Sequence, residues 1–77
     1  MKQISRSELI DKFFESYEKK LNVKIITGQD TIYTGYVKGI VLGDGVEKLI
    51  WTENQDENHI NKTYIQTNRI IQFILLK

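Results

Sequence analysis

The side chains best suited to chemistry in this chain lie between residues 66 and 69. Gln66, Asn68 and Arg69 place two amides and a guanidinium within four positions. These groups supply the donors and acceptors that nucleic-acid base edges need. A plain turn between two strands also accepts Asn68. Trp51 and four tyrosines add a second ingredient. Exposed aromatic faces can stack on bases for ~1–3 kcal/mol each. The same rings also fill a core or a subunit contact, and that reading is preferred for most of them.

Covalent or metal chemistry finds little support. The chain has one histidine and no cysteine. His59 stands near Asp56 and Glu57 in a polar stretch, a thin metal set better read as a solvated loop tip. Asp44 lies between Gly43 and Gly45, and such Asp-Gly pairs form turns. That trio also lacks the spacing of a phosphate-binding loop. Ser5 and Ser7 are helix-start residues rather than nucleophiles. The expectation is a protein that is not an enzyme and uses no metal or cofactor.

Seventy-seven residues make one domain, spanning 1–77. A chain of this length buries only about 60% of the surface its unfolded form exposes. Without cysteines there is no disulfide to help, which leaves good packing or oligomerisation. Proline is absent, which suits uninterrupted elements. The formal net charge is +1, from eleven basic and ten acidic residues. Proteins that rest on duplex phosphate contacts are usually far more basic, so duplex DNA is not an expected partner. Recognition of a few unstacked bases stays open. No apolar run reaches the length of a signal peptide or a membrane span, so no membrane association and a cytoplasmic location are expected.

The elements that would carry these residues are legible. Ser5-Arg6-Ser7-Glu8 fits a capping box, with Ile4 and Leu9 at the spacing of a hydrophobic staple. Leu9, Ile10, Phe13, Phe14, Tyr17 and Leu21 recur at helical spacing, predicting a helix over about 6–20 that packs on a sheet. Five strands follow, from about residue 22 to 76. The first alternates at Val23 and Ile25, and Gly28-Gln29-Asp30 ends it. The second runs from about Thr31 to Leu42. Strict alternation puts Tyr33, Gly35, Val37, Gly39 and Val41 on one face. Gly35 and Gly39 inside this strand point to sharp bending. The third spans about Val46 to Glu53, and a polar loop covers 54–61. The fourth runs from Lys62 to about Gln66. The fifth runs from Arg69 to Leu76, with Ile71, Phe73 and Leu75 on one face and Ile70, Ile74 and Leu76 on the other. An edge strand apolar on both faces is an aggregation hazard unless something covers it. Tyr64, Ile70, Phe73, Ile74 and Leu76 are therefore candidates for a contact between subunits. The fold class is mainly β with one N-terminal α-helix: a small, five-stranded, strongly bent antiparallel open β-barrel.

The layout resembles the Sm-like family, which includes the Sm and Lsm proteins and bacterial Hfq. Val23, Ile25, Ile32, Tyr33, Gly35 and Val37 fall in the register of the family's first motif. Ile65-Gln66-Thr67-Asn68-Arg69-Ile70 takes the place of its second, with Thr67 where the motif has glycine. Val41 stands where the first motif continues with an acid. The resemblance implies a homo-oligomeric ring, joined by the fourth and fifth strands, that binds single-stranded RNA. It implies base insertion at inter-subunit pockets built from the Gly43–Gly45 and Gln66–Arg69 turns. The RNA contacts would then be Asp44, Gln66, Asn68 and Arg69. The alternative is a protein-interaction or scaffold module on a small barrel with no nucleic-acid ligand.

Overall fold

The computed structural model describes residues 3–53 and 62–76. Helix α1 (Arg6–Lys19) is followed by β1 (Asn22–Thr27), β2 (Ile32–Gly43), β3 (Val46–Thr52) and β4 (Thr63–Gln66). A 3-10 turn (Thr67–Arg69) then leads into β5 (Ile70–Leu76). The polar 54–61 stretch, with Asp56, Glu57 and His59, lies outside the described residues.

Ser5 starts the helix as expected: its hydroxyl accepts from the Glu8 amide at 3.1 Å. The Glu8 carboxylate pairs with Lys12 Nζ at 3.1 Å. Lys20 ends the helix in the left-handed region, its amide donating to the Ser16 carbonyl. The buried line of the helix is Leu9, Phe13 and Ser16. Phe14 and Tyr17, expected to pack on the sheet, are exposed instead.

The strands form one antiparallel sheet in the order β4-β3-β2-β1-β5. The sheet is not closed. Among the described residues, β4 pairs only with β3 and β5 only with β1, so both are edges. Asp44 and Gly45 are both left-handed, with φ of 53° and 76°, between the paired residues Gly43 and Val46. Two such residues are what a tight type I′ hairpin requires. Asp30, also left-handed at φ 61°, makes the β1–β2 turn.

Val23, Ile25, Val37, Leu49, Ile65, Ile70 and Phe73 form the core with Leu9 and Phe13 of the helix. Two single-residue bulges change which side chains reach it. The β2–β3 register shifts between Val37 and Gly39, with Lys38 as the extra residue. Past that point the alternation reverses, and Ile40 rather than Gly39 and Val41 continues the core face beside Val37. The β1–β5 register shifts at Ile71, so Ile70 and Phe73 share the core face despite their odd spacing. This corrects the expected faces of both strands. It also removes Ile70 and Phe73 from the candidate subunit contact. Both are 0% exposed within one chain and have no surface left for a neighbour.

Candidate nucleic-acid interface

The antiparallel β1–β5 pairing sets the end of β1 beside the start of β5. The β1–β2 turn therefore meets the turn between β4 and β5. A cleft of about 390 Å³ lies where they meet. Gln66, Asn68 and Arg69 line it on one side, and Thr27, Gly28 and Thr31 on the other. Tyr33 and Tyr64 supply aromatic walls, and Ile71 gives an apolar surface. The three sequence-predicted residues of the second turn are thus brought together. Asp44 is not among the cleft residues; it sits at the tip of the β2–β3 hairpin. Within one chain the Gln66–Arg69 turn joins the β1–β2 turn, not the Gly43–Gly45 turn.

The backbone leaving the 3-10 turn is held at four successive carbonyls. Gln3 Nε2 donates to Asn68 O at 2.8 Å and to Ile70 O at 3.2 Å. Gly28 N donates to Arg69 O at 2.9 Å, and Ile4 N to Ile71 O at 2.8 Å. The side chains of Asn68 and Arg69 are different. Among the described residues neither has a hydrogen-bond or ion-pair partner. A fixed backbone presents two unengaged polar side chains at the rim of a cleft walled by aromatic rings.

Beside this turn, Glu47 of β3 shares its carboxylate between two elements. Arg6 of the helix donates to Oε2 at 2.6 Å, and the Thr67 hydroxyl donates to Oε1 at 2.9 Å. The Arg6 hydrogen bond first, then that of Thr67, holds the Glu47 carboxyl below its ordinary range. Glu47 in turn raises Arg6 above its ordinary value. A carboxylate with a lowered folded-state pKa contributes stability above its unfolded value. That contribution is lost as pH falls through the folded value. Thermal melts of wild type and Glu47→Gln at several pH values should therefore differ at neutral pH and converge in acid. A gap that stays constant down to the acid end would contradict this origin.

The remaining candidates fall into two groups. Tyr64 on β4 is 55% exposed, and Ile74 and Leu76 on β5 are 38% and 39% exposed. These three sit on the two edge strands and keep surface for a neighbour. Trp51 packs against the core, its ring edge-on to Tyr33 with centroids 5.1 Å apart. Among the described residues no cluster of three or more His, Cys, Asp or Glu could hold a metal ion. No helix among them is long and apolar enough to cross a membrane.

Thr27, Thr31, Tyr33, Gln3, Arg6 and Glu47 were not anticipated at this site. Tyr33 was legible only as a strand residue. Its place at the cleft follows from the pairing of β1 with β5, which no local pattern reports. The chain thus carries an open five-stranded antiparallel sheet, one capping helix, and a polar-aromatic cleft between two turns. Comparison with protein-family models, with curated proteins and with solved structures found no match.

Proposed function

We propose that this protein is a cytoplasmic, non-enzymatic, Sm-like RNA-binding module. In this reading it assembles into a homo-oligomeric ring through its two free sheet edges. Unstacked bases of single-stranded RNA enter the cleft between the two turns. One observation carries the reading: the cleft gathers Gln66, Asn68 and Arg69 with two tyrosines, and among the described residues the Asn68 and Arg69 side chains have no partner. Base edges need such amides and such a guanidinium, and base faces need such rings. One N-terminal helix followed by five antiparallel strands supports the Sm-like reading. An edge strand at each end of the sheet favours head-to-tail association, which makes a ring when the rotation closes.

Replacing Asn68 and Arg69 together with Ala should weaken binding to oligo-U or oligo-A by about tenfold or more, as hydrogen bonds to each side chain are lost. The particle mass by light scattering should stay that of several subunits. Few phosphate contacts are available to a chain of net charge +1. The slope of log affinity against log salt should therefore be shallow, about −1. If neither oligonucleotide binds at low salt, the protein-interaction reading replaces this one. A monomer at micromolar concentration removes the ring.

A further inference from the structure

We propose that Glu47 is the positioning residue of the cleft, tying the 3-10 turn to the start of α1 so that Asn68 and Arg69 are held at the rim. The inference rests on the cleft being the binding site and adds what keeps that site in shape. Glu47 does not line the cleft. Its two carboxylate oxygens go to different elements: Oε2 to Arg6 and Oε1 to the Thr67 hydroxyl. Thr67 opens the turn, and the same hydroxyl lies 3.4 Å from the Glu47 carbonyl. On the exit side, Gln3 and Ile4 hold the carbonyls of Asn68, Ile70 and Ile71. Residues 3–6 therefore reach the turn directly through Gln3 and Ile4, and through Glu47 by way of Arg6.

The arrangement has a functional consequence. Asn68 and Arg69 have no side-chain anchor among the described residues, so the turn backbone alone sets where they start. A turn held in place before the ligand arrives lowers the ordering cost of binding. Pairing with Arg6 also offsets the negative charge of Glu47 beside a site meant for a polyanion.

The test combines hydrogen exchange without RNA and binding to oligo-U and oligo-A. The amides of Ile70 and Gly28 donate to the Thr67 and Arg69 carbonyls, so their exchange reports on the turn. Glu47→Ala and Thr67→Val should each speed that exchange and weaken oligonucleotide binding about three- to tenfold, the effect of losing one such hydrogen bond. Glu47→Gln keeps an acceptor for Thr67 and should fall between these and wild type. Val23→Ala lowers stability in the core at the opposite end of β1, where Val23 pairs with Gly35 and Leu75. It should leave both the turn exchange and the affinity unchanged. Unaltered exchange at Ile70 and Gly28 in both Glu47→Ala and Thr67→Val overturns the inference. So does a Val23→Ala protein that reproduces their effects. Wild-type protein that binds neither oligonucleotide overturns the cleft reading instead, while the exchange data still decide whether Glu47 holds the turn.

Discussion

Gly35→Val is expected to remove a large share of the protein's stability. Gly35 is buried in β2, opposite Val23 of β1. A Cβ built there collides with the Thr52 carbonyl oxygen and lies 2.8 Å from Trp51 Nε1. The carbonyl belongs to the backbone of the neighbouring strand and cannot rotate aside. Trp51 is itself pressed against Tyr33. Overpacking a core costs about 1–3 kcal/mol when side chains can adjust. Displacing a strand backbone costs more, about 5 kcal/mol, at the exceptional end for a single substitution. A protein of this length has roughly 4–12 kcal/mol in total. Gly39→Ala is the matched control. Its Cβ would meet only Ile50 Cδ1 at 3.7 Å, an ordinary contact. Urea melts followed by circular dichroism should show near-wild-type stability for Gly39→Ala and a midpoint at far lower urea for Gly35→Val. A Gly35→Val protein that melts like wild type would contradict the close approach of β2 and β3.

The second large effect separates two neighbours on β5. Phe73 is wholly buried and pairs with Ile25. Its replacement by Ala should cost about 3–5 kcal/mol through lost burial and a cavity. Ile74 points to the opposite face, beside Lys24 of β1. A glutamate at 74 meets a lysine across the ladder, so the strand pairing tolerates it. The same charge on an edge strand should block association between subunits. Phe73→Ala is therefore expected to melt at much lower urea, and Ile74→Glu to stay folded as a smaller particle. Light scattering beside the melts distinguishes them. An unfolded Ile74→Glu, or a folded Phe73→Ala that merely dissociates, would reverse the assignment of faces.

Local signals were enough for much of the fold. Ser5 and Glu8 mark the helix start, and Asp44-Gly45 marks the tight hairpin. Alternation at Val23 and Ile25 places the first strand and its buried face. The misread strand faces have one physical source. Strand alternation has period two, so one extra residue moves every later side chain to the other face. Lys38 does this in β2 and Ile71 in β5. Neither residue type announces a bulge. Ile70 was therefore placed beside Ile74, when the fold sets it with Phe73. At the candidate site, Gln66, Asn68 and Arg69 were legible because their chemistry is local. Tyr33 and the β1–β2 turn were not, since their approach depends on the pairing of β1 with β5. Arg6 and Glu47 are 41 positions apart in the chain, beyond any local pattern.

The central claim is that the cleft between the two turns takes an unstacked RNA base. Amide and side-chain NMR shifts recorded while oligo-U or oligo-A is added test it most directly. The account predicts the largest changes at Gln66, Asn68 and Arg69, with Tyr33 and Tyr64 ring signals moving alongside them. Changes confined to other surfaces, or none with either oligonucleotide at low salt, would contradict it.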